Sequence, residues 1–448
     1  MIMASRRFRH AAWLGLCLQL SPAAQAAGER QDTTSWSASL GARHSDNLYR
    51  TSEPTVSGIV PQAGLDGVYD GHRNRLDTRL SANLLYTSYS QLLPLARGSP
   101  RGLSGGASLL ASLTLLADHL TWEVSDTFGD TLINPVGADS PANRQSLNIF
   151  STGPMLRLPF GSRNELDLRG GWYSSRFGES GAANAQGYQQ YGSLTRQVSR
   201  AGQLGLYGSA MQLRYPDQPD ERGQDRLRSA GVLWNARGNR TRIETQYGYS
   251  ELETRGTKQR NPTARIQVAR ESARGTLQVT AAREFSSAGG AFQTNQQFFG
   301  TAGSSSFTGL QAVADQFRSD YGLLSYSRQS SGRALQLDVS ARNERFENRR
   351  DLDSKLFGAN LSMAATITEQ TRLTLYAGVD HRRYSQMNVQ GTEERYAAEL
   401  TIQLRPSFSL VVREERNIGD LPLIGEYAEN AQLLLLRYHP APRTQSRR

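Results

Sequence analysis

Residues 372–380, with the sequence RLTLYAGVD, decide the fold class. Apolar residues stand at every second position, from Leu373 to Val379, and polar or small residues fill the positions between them. This period of two indicates a β-strand whose two faces meet different surroundings, because successive side chains of a strand point to opposite sides. The sequence therefore predicts an all-β chain. Three further segments share the alternation: 165–172, 335–342 and 395–404.

The turns between these segments distinguish a membrane barrel from a soluble sandwich. Short turns recur near nine positions: Asn74, Asp118, Ser162, Arg200, Gly238, Arg274, Gly332, Gln370 and Pro406. Each interval between them is long enough for two strands and one longer connection. The longer polar stretches fall at 178–187, 215–225, 252–261 and 343–354. Tight turns at one end and longer loops at the other are typical of outer-membrane barrels, whereas a β-sandwich has no need of that alternation.

The number of strands follows from these turns. Nine turns join eighteen strands, and an opening strand at 35–49 and a closing strand at 431–438 bring the total to twenty. The alternative is 18, because the pattern is weakest at 63–69 and in the 58-residue interval between Arg274 and Gly332. We predict a single transmembrane antiparallel β-barrel of about 20 strands in residues 27–448, with short periplasmic turns and longer extracellular loops.

The N-terminus carries the features of a secretory signal peptide. Arg6, Arg7 and Arg9 precede the apolar run 11–20, and small residues follow at 24–26. The apolar run is too short to cross a bilayer as a helix, which needs about 20 residues. We predict that residues 1–26 are removed and that the mature chain resides in the outer membrane of a Gram-negative bacterium.

Composition excludes several other classes of protein. A mean hydropathy of −0.54, without a long apolar stretch, excludes a helical membrane protein. Without the three arginines of the predicted signal peptide, 48 basic and 41 acidic residues leave a net charge of +7, and the charges are interspersed. The sequence has no basic stripe of the kind that would indicate a nucleic-acid partner, so no such partner is expected. We find no phosphate-binding glycine motif and no paired Cys or His metal site, so no cofactor is expected.

The polar face of each predicted strand should line the lumen. Such residues would solvate the interior or pair across strands, and would offer many weak contacts to a sliding solute rather than one tight site. The candidate lumen-lining residues are Arg169, Arg242, Glu244, Arg265, Asp338, Arg342, Arg372, Tyr376, Asp380, Arg395 and Glu399.

Aromatic residues suggest two further features. Trp122, Trp172 and Trp234 fall toward strand ends, where interfacial girdles are expected, although aromatics also favour strands in general. The longest predicted extracellular loop, 286–316, contains four phenylalanines that are candidates for a constriction: Phe292, Phe298, Phe299 and Phe307. This loop either folds into the lumen, or stays at the surface with its rings packed on each other.

Three short segments resemble the exopolysaccharide-associated outer-membrane β-barrel family. They are the opening strand SASLGARHSDNLY at 37–49, the hairpin YDGHRNRL at 69–76, and EYAEN at 426–430 before the final strand. The resemblance implies an outer-membrane pore for export of an exopolysaccharide or capsular polymer. It also implies a periplasmic polysaccharide-export protein as a partner, besides the outer-membrane assembly machinery and outer-membrane lipid.

Three other functions remain open. A diffusion or substrate-specific porin for small solutes would have the same barrel and the same wall chemistry, and an adhesin-like barrel would use its loops to bind other cells. A lipid-modifying enzyme at the rim would need a hydroxyl, a histidine and an orienting carboxylate together. His44 beside Ser45, and His381 near Ser385, are the only pairs in suitable places.

Overall fold

The computed structural model describes residues 32–89, 102–134, 137–217, 224–254, 257–287, 316–347, 349–385, 387–422 and 424–440. Twenty strands make up nearly all of its regular structure. They are β1 Thr33–Ser45, β2 Gly58–Arg73, β3 Leu76–Thr87, β4 Leu103–Leu116, β5 Leu120–Leu132, β6 Arg144–Phe160, β7 Asn164–Phe177, β8 Ala185–Gln197, β9 Gly202–Arg214, β10 Gln224–Arg237, β11 Thr241–Thr254, β12 Thr257–Ser272, β13 Gly275–Ser286, β14 Phe317–Ser330, β15 Arg333–Phe346, β16 Ser354–Thr368, β17 Thr371–Tyr384, β18 Val389–Arg405, β19 Phe408–Leu421 and β20 Gly425–Tyr438.

Every strand pairs antiparallel with its neighbour in sequence, and β20 also pairs with β1. The sheet is therefore closed and has no unpaired edge, which is the condition for β-structure in hydrocarbon. The predicted class and the count of twenty strands are confirmed. Among the described residues, no helix has the length and apolar character needed to cross a membrane.

All nine short turns occur at the predicted positions and at the end of the barrel where β1 begins and β20 ends. Four of them contain a residue with left-handed backbone: Asn74, Asp118, Gly161 and Gly332 have φ of 45°, 62°, 64° and 69°. Asn, Asp and Gly tolerate this conformation better than other residues. This chemistry explains why the short turns could be located from the sequence.

Strand limits at the opposite end differ from the prediction. The expected loop at 252–261 is wrong, because β11 continues to Thr254 and β12 already begins at Thr257. Cross-strand ion pairs accompany this extension: Glu251 lies 2.6 Å from Arg260 Nε and 4.0 Å from Lys258 Nζ. The polar residues that indicated a loop therefore form paired strands instead.

Three other strands also differ in length from the prediction. The weak segment 63–69 is the middle of the full-length strand β2, and the closing strand begins at Gly425 rather than at residue 431. The opening strand β1 ends at Ser45 rather than at residue 49. Residues 1–31 lie outside the described residues, so the signal peptide stays a prediction.

The outer face of the barrel carries a belt of exposed apolar side chains. Leu40, Leu206 and Leu434 are 68%, 59% and 54% exposed, far more than soluble proteins leave open in a continuous belt. Trp122 and Trp234 point outward near the short-turn end, where a membrane interface would lie. This exterior fits a lipid bilayer, so the fold is that of a transmembrane β-barrel.

Candidate functional site: a constriction in the barrel lumen

One contact across the barrel identifies the lumen face. Arg395 of β18 lies 3.4 Å from Asp139, measured from Nη1 to Oδ2, and Asp139 belongs to the connection between β5 and β6. Strands β18 and β5 stand seven places apart around the ring, so this contact spans the interior. Residues directly opposite on neighbouring strands share a face, and the register therefore extends the assignment to every strand.

The register places all eleven lumen-lining candidates on this inner face. Asp380 pairs with Arg395, and Arg342 lies 5.3 Å from the centre of the Tyr321 ring. Among the six arginine candidates, all within the described part of the chain, three form no ion pair: Arg169, Arg265 and Arg372. The contact of these eleven residues with a permeating solute stays a prediction.

The connection between β5 and β6, described at residues 133–134 and 137–143, reaches into the lumen at Asp139; we call it the β5–β6 loop. Asn143 organises it: its Nδ2 donates to the carbonyls of Asn134 and Ala138, both at 2.8 Å, and its Oδ1 accepts from Asn134 N at 2.8 Å. A 3₁₀ turn at Pro141–Asn143 then leads into β6. These local bonds give the loop a defined shape that presents Asp139 to the far wall.

Asp139 is held by arginines from both sides of the lumen. Arg144 Nε and Nη2 donate to its two carboxylate oxygens at 2.6 and 2.9 Å, and Arg395 approaches from the opposite wall. The Asp139 side chain is only 2% exposed. Burial acts to raise the pKa of this carboxyl, but Arg144, Arg395 and Arg50 outweigh burial and hold the pKa well below its ordinary value. Asp139 is therefore an anion at neutral pH.

Glu393 of β18 binds the backbone of the same loop. Its Oε1 accepts from Asp139 N at 3.0 Å and from the Tyr427 hydroxyl at 2.6 Å, while Oε2 accepts from Arg382 at 2.8 Å. Ala138 packs beside these polar contacts against Leu421 and Tyr427. The loop is thus fixed to the far wall by a buried charge, a backbone hydrogen bond and an apolar contact.

Arg50, from the connection between β1 and β2, links the loop to a second carboxylate. Its Nε donates to Glu429 Oε2 at 2.8 Å, and its Nη1 donates to the Asp139 carbonyl at 2.5 Å. Burial acts to lower the pKa of Arg50, but Glu429, Tyr427 and Asp139 together outweigh burial and raise it. Glu429 also accepts from Ser45 Oγ, Arg43 and Asn417, at 2.6, 2.8 and 2.9 Å.

These contacts define the candidate site, which we call the Asp139 clamp: Arg50, Asp139, Arg144, Arg382, Glu393, Arg395 and Tyr427. Each arginine of the clamp forms an ion pair: Arg144 and Arg395 with Asp139, Arg382 with Glu393, and Arg50 with Glu429 outside the clamp. The clamp narrows the lumen toward the end opposite the short turns. Sequence reasoning included Arg395 among the lining residues but missed Asp139 and its loop, because an isolated Asp in a polar loop gives no sign of the wall that it reaches.

Apolar side chains also occupy this end of the lumen. Leu147 and Ile149 of β6 and Phe177 of β7 belong to one buried cluster with Phe317 and Phe346 of β14 and β15. Strands β7 and β14 are not neighbours, so the cluster extends across the interior rather than along the wall. Polar groups are therefore not alone in lining the lumen at this end. The phenylalanines proposed for a constriction, at 292–307, lie outside the described residues.

The half of the lumen nearer the short turns is polar. Its wall carries mainly hydroxyl, amide and charged groups, including Ser81, Ser108, Ser125, Ser151, Ser193, Gln267, Gln278, Ser325, Ser362 and Thr374. Tyr191 and Tyr207 add a stacked pair with ring centres 6.4 Å apart. This half is a hydrophilic vestibule that leads to the clamp.

The histidine and serine pairs considered for catalysis do not come together as that chemistry requires. His44 and Ser45 point to opposite faces of β1, and Ser45 Oγ donates to Glu429. His381 faces outward and lies 2.9 Å from the Thr392 hydroxyl, measured from Nδ1 to Oγ1. The described ranges contain no group of three or more His, Cys, Asp or Glu residues arranged to hold a metal ion.

The class of protein that the fold defines is a transmembrane β-barrel with a constricted lumen. No family model matches the chain, and no curated protein matches it. The resemblance to the exopolysaccharide-associated family therefore stays a prediction.

Solved structures similar to this chain include two outer-membrane barrels. The siderophore receptor PirA from Acinetobacter baumannii is 10% identical, with 92% of this chain and 81% of the receptor covered and a TM-score of 0.45. A BenF-like porin from Pseudomonas fluorescens Pf-5 is also 10% identical, with coverage of 91% and 99% and a TM-score of 0.36. Similarity this low assigns the chain no function.

Proposed function

We propose that this protein is a pore of the Gram-negative outer membrane that passes small hydrophilic solutes and is gated by the β5–β6 loop. The observation that carries the proposal is the Asp139 clamp, which joins this loop to β18 across the lumen. A polar vestibule on the short-turn side supplies the hydrated path that small solutes need. Release of the loop would widen the lumen at the end opposite the short turns.

The clamp argues for small solutes rather than for a polymer. A sliding polymer needs a continuous, wide and weakly binding channel. Here a loop tied down by buried ion pairs and an apolar cluster both occupy the lumen at one end. A small solute can pass after a local movement of one loop, whereas a hydrated polysaccharide would have to displace both features for as long as it moves.

Export of an exopolysaccharide remains a second candidate, supported by the vestibule. Its hydroxyl and amide groups and the Tyr191–Tyr207 stack are suited to transient contacts with sugar rings. In that case a periplasmic polysaccharide-export protein would dock at the short turns, and the polymer or that partner would have to open the clamp.

Liposome swelling tests the proposal directly. Purified barrel is reconstituted in liposomes, and swelling rates are measured in mono-, di-, tri- and tetrasaccharides of increasing size. We expect swelling that falls steeply with solute size, and a shift of the size limit upward when Asp139→Asn releases the loop. Swelling no faster than that of empty liposomes, for both proteins and all sugars, would refute a small-solute pore.

A deletion strain separates the two candidates. Surface polysaccharide and small-solute uptake are measured after deletion and after restoration with wild type. A fall in uptake with unchanged polysaccharide supports the solute pore. Loss of polysaccharide with unchanged uptake would replace our proposal with export.

A further inference from the structure

A groove of about 740 Å³ crosses the outer surface of the barrel from β12 to β16. Its floor is a row of lumen-facing residues, one from each strand, of which Ala282 and Tyr321 are examples. The outward-pointing residues on either side of the floor residues line it as well, except Phe357 beside Leu356. The next lumen-facing residues, such as Leu323, do not line it. The groove therefore opens to the lipid side.

Small side chains create the depression. Ala281, Gly322 and Ala341 stand directly opposite one another on β13, β14 and β15, with Ile266 at one end of the row and Phe357 at the other. Ile266 and Phe357 are larger side chains, 44% and 45% exposed, that bound this row of small residues at its two ends. A Cβ atom added at Gly322 would meet nothing within 4 Å. The row spans four inter-strand spacings, or about 19 Å.

A polar row borders the groove on the side away from the short turns. Arg283, Asp320, Asn343, Lys355 and Arg383 follow one another across β13 to β17. Two more arginines, at positions 318 and 345, face each other one step further along the strands. Five cations thus surround a single outward carboxylate, Asp320.

Most of this positive charge is uncompensated. Arg283 Nε lies 2.5 Å from Asp320 Oδ1, and Arg318 lies 3.9 Å from the same carboxylate. Within the described ranges, Arg345, Lys355 and Arg383 form no ion pair. Unpaired cations side by side on an outward face repel one another, which favours an anion beside them.

The polar row lies at the edge of the apolar belt. The outward row on the short-turn side of the groove contains only apolar residues: Val268, Val279, Leu324, Val339 and Ala359. Successive outward rows are about 6.6 Å apart along the strands. The cations therefore lie at the level of lipid headgroups on the side of the longer loops, with the groove among the acyl chains just beneath them.

We propose that this surface binds one anionic outer-leaflet lipid whose headgroup carries phosphate, with an acyl chain in the groove and phosphate on Lys355, Arg383 and their neighbours. The lipid class that fits is a phosphorylated glycolipid of the lipopolysaccharide type. The cations of the polar row favour a negatively charged headgroup, and the row of small residues leaves room for an acyl chain of the lipid. The polar row and the groove share strands β13 to β16, so one molecule can contact both.

Native mass spectrometry of the full-length barrel in neutral detergent tests this proposal, with purified diphosphoryl lipid A as the probe. We expect one tightly retained lipid on the wild type. The double variant Lys355→Gln/Arg383→Gln should bind on the order of 30-fold more weakly, from about 1 kcal/mol per cation near an anionic surface. Gly322→Leu should also weaken binding, because it fills the groove while leaving every charge in place.

Matched controls keep the test falsifiable. Gly170 of β7 also faces outward with nothing within 4 Å of an added Cβ, so Gly170→Leu should leave lipid retention unchanged. The same holds for Arg226→Gln/Arg228→Gln, outward cations of β10 outside the groove. Heat-dependent electrophoretic mobility confirms that each variant is folded.

Three results would overturn the proposal. One is equal lipid retention by wild type, Gly322→Leu and the Lys355/Arg383 variant. Another is full competition by inorganic phosphate, which would indicate an ion site without an acyl chain. The third is a dimer abolished by Gly322→Leu, which would make a second copy of the chain the occupant.

Discussion

The clamp makes a quantitative prediction for Asp139→Asn. The substitution keeps the shape of the side chain but removes a buried anion that binds Arg144 in bidentate fashion and also contacts Arg395. Removing one partner of a buried ion pair costs about 3–5 kcal/mol. We take the lower end of this energy range, because in the variant Arg395 keeps its ion pair with Asp380 and Arg144 keeps its ion pair with Asp130. A loss of about 3 kcal/mol from the closed state lowers the ratio of closed to open time roughly 100-fold.

Single-channel recording in planar bilayers measures this ratio. The control is Asp351→Asn, which breaks an ion pair with Arg349 in another loop where both side chains are 49% exposed. Such a surface pair is worth at most about 1 kcal/mol and does not touch the clamp. Gating of Asp139→Asn that equals the wild type, or an equal effect of the control, would refute the assignment of this loop as the gate.

Three further predictions concern charge and closure. Because the pKa of Asp139 is depressed, Asp139 stays charged at pH 7 and at pH 5, and the gating difference between wild type and Asp139→Asn should be complete at both. The difference should shrink only as the pH falls through that low pKa. Single-channel recordings at pH 7, 5 and 3 test this. A Cβ atom added at Gly41 of β1 would lie 1.8 Å from a backbone oxygen of β20, so Gly41→Ala should lower the folded fraction measured on heat-modifiability gels. Gly170→Ala is the control and should leave the folded fraction unchanged, because an added Cβ there meets nothing within 4 Å. Tyr438 contacts two aromatic rings at the seam, at 5.7 and 5.2 Å, and Tyr438→Ala should reduce the free energy of unfolding in urea by about 1–3 kcal/mol; an unchanged urea midpoint would contradict this.

The barrel could be predicted from the sequence because its determinants are local. Period-two alternation depends on neighbouring residues, and turn residues such as Asn74 and Gly332 reveal their positions through their own backbone chemistry. The lumen face of Asp338 or Arg372 follows from the same alternation.

The clamp could not be predicted in this way, because its residues are remote in sequence. Asp139 meets Arg395 across 256 positions, and Arg50 meets Glu429 across 379. Nothing in the segment 133–143 distinguishes a loop that enters the lumen from one that stays at the surface. The error at 252–261 has a related cause, because polar residues with cross-strand partners form strands beyond the membrane.

The energetics of the gate are separate from those of the barrel. The backbone ladder closes between β20 and β1 without any contribution from the β5–β6 loop, so movement of this loop leaves every strand pairing intact. The contacts of Asp139 and Glu393 with the far wall can therefore break and reform while the barrel stays folded. The lipid-facing groove, by contrast, is formed entirely by paired strands and cannot open or close by a loop movement. Asp139→Asn should consequently change conductance without altering lipid retention or heat-dependent mobility.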